Sequence, residues 1–277
     1  MTSVVSLRSS AEAERGLAAG IAYERTGAGP PLLLVHGLGA SRRIWDPQIE
    51  RLAAARDVIA VDMPGFGESP PLVEAATPSA LAAALARTCD ELGVERPHVA
   101  GNSLGGWVAL ELAKRDEAAS LCLISPAGLW SRPLGPRRVD SRAWAKRLRP
   151  LLGPLVRSRR ARETMLRGTV ARPDLIPTSD AEALIATWID APGYDAANAE
   201  MRSHVCTDLD RIIAPTTIAW GEHDRLVAPP KPDRRPSGSR MIVLEGCGHT
   251  PNWDAPERIA ELLLEASAGS SAGSDPV

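Results

Sequence analysis

Gly101-Asn102-Ser103-Leu104-Gly105-Gly106 places a serine at the junction between an apolar run, Pro97-His98-Val99-Ala100, and a helical pattern, Trp107 to Lys114. The first reads as a short buried strand and the second as a helix packed by its apolar side. A strand that turns this sharply into a helix leaves no room for side chains two residues either side of the serine, so Gly101 and Gly105 have a steric reason to be there. Such a turn lifts the Ser103 hydroxyl clear of the sheet and aims the Leu104 amide beside it. The chemistry this permits is nucleophilic attack on an electrophilic carbon. A glycine-rich turn with no chemical role has the same composition, and the flanking strand and helix are what favour a nucleophile.

A nucleophilic serine needs a base, and the base needs an orienting acid, in any order along the chain. Thr216 to Trp220 reads as a strand ending in the turn Gly221-Glu222-His223-Asp224, and Met241 to Leu244 reads as a strand followed by Glu245-Gly246-Cys247-Gly248-His249. Among five histidines, His249 alone follows a strand with a glycine before it. For the acid, Asp224 competes with Glu222, Asp208 and Asp210, and a turn-forming aspartate is its bland alternative. His98, at a strand start, and His204 are read as structural. His36 is read as a brace for the turn after its strand, and His223 as pointing away from Asp224.

With these motifs in hand the chain resembles the α/β-hydrolase family at four places in the family's order. They are His36-Gly37-Leu38-Gly39, Asp62-Met63-Pro64-Gly65-Phe66-Gly67-Glu68-Ser69, the serine motif, and Gly221 to Asp224 with Gly248-His249. The resemblance implies Ser103 as nucleophile, His249 as base, Asp224 as acid, and an oxyanion hole made by the backbone N–H groups of Leu38 and Leu104. The family's other site for the acid, after the preceding strand, reads Ser125-Pro126 here and offers no carboxylate. The His-Gly-Gly-Gly loop of lipases is absent, since Leu38 interrupts it. Gly37, Trp130, Trp188 and Val227 are the expected substrate contacts.

The elements that must position these residues follow from the pattern. Apolar runs at Leu32–Val35, Val58–Val61 and Leu121–Ile124 alternate with helical stretches, one of them opened by Pro78 and stopped by Gly93, which argues for a mostly parallel sheet covered by helices. The expected organisation is an α/β-hydrolase core over 1–125 and 211–266. Proline-cut helical fragments over 126–210 form an insertion that the resemblance implies is a helical lid, and a small, polar, disordered tail spans 267–277. Between the acid and histidine strands, Pro229 to Pro236 carries four prolines where the family has a helix, so a shortened or broken helix is expected there.

At 277 residues with a net charge of −2, the chain can bury a full core and gives no reason to expect nucleic acid as a partner. No apolar run matches a signal peptide or a membrane span. Cys89, Cys122, Cys206 and Cys247 lack metal or paired spacing, which fits reduced thiols and a cytoplasmic location. No metal or cofactor motif occurs, and the reaction needs neither.

The implied reaction is hydrolysis of a carboxylic ester or lactone of a small organic substrate through an acyl-enzyme. Serine at the elbow in place of aspartate speaks against epoxide hydrolase or haloalkane dehalogenase chemistry. The Gly-Asn-Ser-Leu-Gly-Gly form is also similar to that of meta-cleavage product hydrolases, which cut carbon–carbon bonds in oxo-dienoates. Against that, His249 is followed by Thr250-Pro251-Asn252 before Trp253, and Ala183–Trp188 holds no arginine. Thioester cleavage and a small-molecule receptor with a retained triad complete the alternatives, the last separated by turnover of p-nitrophenyl esters. One feature bears on the substrate: Arg132 to Arg172 holds thirteen basic and two acidic residues, a local charge of +11. It is either a solvated helical face or an attractor of an anionic ligand or acidic partner surface, with Trp130, Trp144, Leu148, Leu151, Leu152 and Leu155 as its apolar underside.

Overall fold

The apolar runs assemble into one eight-stranded sheet in a computed structural model that describes residues 13–136 and 141–268. The strands are β1 (Glu14–Ala18), β2 (Ile21–Gly27), β3 (Pro31–Val35), β4 (Asp57–Val61), β5 (His98–Asn102), β6 (Ser120–Ile124), β7 (Thr216–Gly221) and β8 (Arg240–Leu244). Their order is β1-β2-β4-β3-β5-β6-β7-β8. From β4 to β8 every pairing is parallel, whereas β1 with β2 and β2 with β4 are antiparallel.

Side-chain alternation explains the core. Leu33 and Val35 of β3 join one apolar cluster, and Leu32 and Leu34 join the other, so both faces of the strand are covered. That is why β3 reads as an unbroken apolar run, and each fully buried leucine contributes about 1.5–3 kcal/mol. On the first face lie α2 (Pro78–Glu91) and α3 (Leu104–Ala113). On the second lie α1 (Asp46–Ala53) and α9 (Pro256–Ala268). Helix α2 begins as expected at Pro78, with the Thr77 hydroxyl accepting the Ala80 N–H at 3.1 Å, and Gly93 beyond its end has φ +66°.

The antiparallel edge was not foreseen. The chain from Glu14 to Gly27 is a hairpin whose two-residue turn, Ala19-Gly20, has positive φ at both positions (48° and 78°), matching the twist of the flanking strands. Its polar residues face out on an edge strand, which hides the pattern in sequence. Helix α1 was missed for a related reason, since its eight residues carry only a narrow apolar stripe.

Between β6 and β7 the alternation stops. The insertion holds α4 (Ser141–Arg147), α5 (Leu152–Arg157), α6 (Arg159–Leu166), α7 (Thr178–Asp190) and α8 (Tyr194–Ser203), with Pro150, Pro177 and Pro192 in the breaks between them. Between β7 and β8 the expected helix is reduced to a 3₁₀ turn at Pro232–Arg234, as the four prolines require. The chain end departs from expectation: α9 continues through Ser267 and Ala268, and the buried Ser267 hydroxyl receives an N–H from Arg56 at 3.0 Å. The rest of the expected tail lies outside the described residues. Among the described residues no helix is long and apolar enough to cross a membrane.

Candidate active site

All the chemistry-bearing loops leave the carboxyl ends of parallel strands. The chain runs from β3 to β4 on one side, then returns so that β5 lies on the other side of β3. A crevice opens outside strand ends at such a reversal. The loop after β3 carries Gly37 and Leu38, the turn after β5 carries Ser103, the turn after β7 carries Asp224, and the loop after β8 carries His249.

The serine turn is as tight as the sequence implies. Ser103 has φ 54° and ψ −116°, a sparsely populated conformation costing about 1–3 kcal/mol. Its N–H donates to Ile124 O at 3.0 Å, and its carbonyl accepts the N–H of Ala127 at 2.9 Å, so the surroundings hold the strain. A Cβ on Gly101 would lie 2.3 Å from Gly105 O, and one on Gly105 would lie 2.3 Å from Val35 O. Any other residue at either position would push the turn off the sheet. Buried Asn102 anchors the turn sideways, its Nδ2 donating to Ile124 O at 3.1 Å and to His249 O at 2.9 Å.

Asp224 and His249 meet. His249 Nδ1 lies 2.7 Å from Asp224 Oδ2, with both side chains almost fully buried. An ionised carboxylate can only accept, so Nδ1 carries the proton and Nε2 keeps its lone pair. The other Asp224 oxygen, Oδ1, accepts the N–H groups of Leu226 at 2.8 Å and Val227 at 3.0 Å. Burial alone would raise the Asp224 pKa. The hydrogen bond and charge of His249, then the amides of Val227 and Leu226, outweigh it and hold the carboxyl below its usual value. The competing acids stand elsewhere: Glu222 accepts Gly246 N–H at 2.8 Å, while Asp208 precedes and Asp210 lies within a 3₁₀ turn at Leu209–Arg211.

Ser103 and His249 both border a cavity of about 1040 Å³ between the sheet's carboxyl end and the insertion. Gly37, Leu38, Trp130, Trp188 and Val227 border it too, so every expected substrate contact faces this space. Among the described residues neither the Leu38 nor the Leu104 N–H has a backbone acceptor, and Leu104 opens α3, where the helix dipole favours negative charge. His36 does brace its turn. Its Nε2 accepts the Met63 N–H at 2.9 Å while Nδ1 donates to Gly37 O at 2.8 Å, and burial, foremost, lowers its pKa and keeps it neutral.

Sequence reasoning missed the polar residues that hold the His249 loop. Buried Asp254 accepts Gly248 N–H at 2.8 Å, Ala171 N–H at 3.0 Å and Arg172 N–H at 2.8 Å, tying the loop to the insertion. Gln48 of α1 and Asn252 exchange hydrogen bonds, Gln48 Nε2 to Asn252 O at 2.8 Å and Asn252 Nδ2 to Gln48 Oε1 at 3.0 Å. Nothing in their local spacing marks either residue. Arg234, from the proline-rich segment, donates to Cys206 O at 2.8 Å and Trp130 O at 3.2 Å, joining the two ends of the insertion.

The basic segment is partly consumed internally. Arg142 is buried, bonded to Trp188 O, Ala191 O and Asp195, with its guanidinium 4.8 Å from the Tyr194 ring centre. Arg149 pairs with Asp190 at 2.8 Å and Arg159 with Glu163 at 2.7 Å. Trp144, Leu148 and Leu151, expected on an apolar underside, are exposed. Arg137 and Arg138 lie outside the described residues.

Comparison with known proteins agrees with this architecture. A model of the alpha/beta hydrolase family matches residues 32–262. The chain is 34% identical over 190 residues to epoxide hydrolase EphH of Mycobacterium tuberculosis, covering 64% of this chain and 88% of that one. It is 32% identical over 253 residues to a pimeloyl-[acyl-carrier protein] methyl ester esterase of Neisseria meningitidis, covering 85% and 92%. A thermophilic esterase from Thermogutta terrifontis superposes with a TM-score of 0.71 at 29% identity, over 93% of this chain and 99% of that one. The chain belongs to the α/β-hydrolase family and is a hydrolase.

Proposed function

We propose that the protein is a serine hydrolase that cleaves carboxylic esters, including lactones, through an acyl-enzyme. The observation that carries this reading is the pairing of a strained serine turn with a buried His249–Asp224 hydrogen bond, at 2.7 Å, on the border of one cavity.

His249 Nε2 takes the Ser103 proton as Oγ attacks the carbonyl carbon, and the imidazolium that forms is stabilised by Asp224 through Nδ1. The Leu38 and Leu104 N–H groups receive the developing oxyanion. His249 then gives the proton to the leaving oxygen, and the acyl group stays on Ser103. Water, deprotonated by His249, attacks the ester, and its collapse returns the serine. Every proton taken by His249 is handed back within its own half-reaction.

The kinship with an epoxide hydrolase does not carry over its substrate, because Ser103 stands where attack on an epoxide would call for a carboxylate. The carbon–carbon reading gains no support from Asn102, whose amide is committed to the carbonyls of Ile124 and His249. The substrate acyl group is apolar on this reading, since the cavity wall includes Leu38, Trp130, Leu152, Ile185, Trp188 and Val227.

A panel of p-nitrophenyl esters, lactones, thioesters and oxo-dienoates, run beside Ser103→Ala, tests the proposal. Ester turnover that vanishes in the variant supports it. Equal turnover in both proteins, or activity confined to oxo-dienoates, sinks it.

A further inference from the structure

Helices α4, α5 and α6 present a surface with an uncommon composition. Of the basic residues in this part of the chain, Arg142, Arg149, Arg159, Arg162 and Arg172 hold protein acceptors. Lys146, Arg147, Arg157, Arg160 and Arg167 are exposed and have no side-chain acceptor among the described residues. The one acid on these three helices, Glu163, is already paired with Arg159. Between the free cations stand large apolar side chains turned to water: Trp144 is 69% exposed, Leu151 54%, Leu148 49% and Met165 39%.

This surface and the cavity are continuous. Trp144, Leu148, Met165 and Arg160 belong to both, being exposed outside and bordering the cavity inside. The mouth of an apolar cavity is therefore rimmed by apolar side chains and surrounded by unpaired cations.

We propose that this face docks the enzyme on an anionic phospholipid surface, with the cavity mouth turned to the bilayer, so that a lipid-soluble ester passes into the cavity without crossing water. The identity of the substrate as an ester rests on the proposed function, while the docking does not. Two physical arguments favour a lipid surface. Aromatic and aliphatic side chains among lysines and arginines match the boundary between headgroups and acyl chains, where each cation near an anionic leaflet contributes roughly 1 kcal/mol. The whole chain carries −2, so the rest of the molecule is repelled by the same leaflet and the patch fixes the orientation. A neutral, water-soluble substrate would need neither the free cations nor an exposed tryptophan at the mouth.

The test is co-sedimentation of the full chain with vesicles of pure phosphatidylcholine and of phosphatidylcholine mixed with phosphatidylglycerol, at low and high salt. Expected is binding to the anionic vesicles that high salt reverses. The triple variant Lys146→Glu, Arg147→Glu, Arg157→Glu should bind at least about tenfold more weakly, from the loss of three surface cations. Those residues lie outside the cavity wall, so the triple variant should still hydrolyse a soluble short-chain p-nitrophenyl ester at the wild-type rate, which also shows that it folds. Equal affinity for both vesicles, unchanged binding by the triple variant, or binding only to an acidic protein such as a carrier would overturn the docking. Vesicle binding by a protein that turns over no ester would instead count against the proposed function and leave the docking standing.

Discussion

Asn102 Nδ2 donates to the backbone carbonyl of His249 at 2.9 Å, so the residue before the serine fixes the position of the histidine that must face it. The same amide reaches Ile124 O at 3.1 Å, which ties both to the end of β6. Asn102→Ala should leave the His249 carbonyl without a donor, while Ile124 O keeps the Ser103 N–H, and cost about 1–3 kcal/mol of stability. We expect kcat to fall by about 10- to 100-fold with KM little changed, because the loss is in alignment of the reacting groups. Steady-state kinetics and urea unfolding check both. An unchanged kcat would show that the contact only supports the fold.

Ser103→Ala should abolish ester turnover and labelling by a fluorophosphonate, while the wild type is labelled once. Asp224→Asn should lower kcat by about 10⁴-fold, since an amide in place of the carboxylate favours the wrong imidazole tautomer. Persistent labelling of Ser103→Ala, read by intact mass, would move the nucleophile elsewhere.

The depressed pKa of Asp224 has a thermodynamic signature. Its folded value lies below the 3.8 of a free aspartate, so the ionised carboxylate stabilises the fold fully above the unfolded value. That contribution is lost as pH falls through the folded value. The stability gap between wild type and Asp224→Asn should therefore be constant through the neutral range and shrink only below about pH 4. Urea midpoints at pH 7, 5 and 3 read this directly. A gap that already closes between pH 7 and 5 would contradict a buried carboxylate held ionised by its hydrogen bonds.

The thiols supply an independent check of the core. Burial, foremost, pushes Cys89, Cys122 and Cys206 up to about 12 and Cys247 up to about 11. All four are free and buried. A disulfide reagent at pH 8 should find no fast-reacting thiol in the native protein and all four after unfolding. Rapid native reaction would mean that one of these elements is open.

What could be read from sequence was what local physics dictates. The elbow needs glycine at 101 and 105 for steric reasons, the parallel strands need unbroken apolar runs, and Pro78 and Gly93 bound α2 by their own backbone preferences. The acid was less legible, because Asp224, Glu222, Asp208 and Asp210 are alike as residues and only the fold separates them. The supporting groups were illegible, since Gln48 meets Asn252 across 204 positions and no local pattern encodes that meeting. The excess of arginine over 132–172 was visible, but its division into internal struts such as Arg142 and free cations such as Arg157 depends on tertiary contacts alone.

Asp254 gives the sharpest test of how the insertion governs the site. Its carboxylate receives three backbone N–H groups, two from the insertion and one from Gly248, the residue before His249. All three partners are donors, so Asp254→Asn must turn an NH₂ group toward at least one of them and lose that bond. Nothing about the charge or size of the cavity changes with the substitution. On the proposed mechanism we expect kcat to fall by roughly tenfold or more, as displacement of the His249 loop from the Ser103 turn requires. We also expect protease nicking near 169–172 to accelerate, since the segment loses its tether to the loop. Raising the concentration of substrate should not restore the rate, because alignment rather than binding is impaired. Should Asp254→Asn gain protease sensitivity yet keep the wild-type kcat, the tether would serve the insertion alone, and His249 would be held by Asn102 and Asp224 without it.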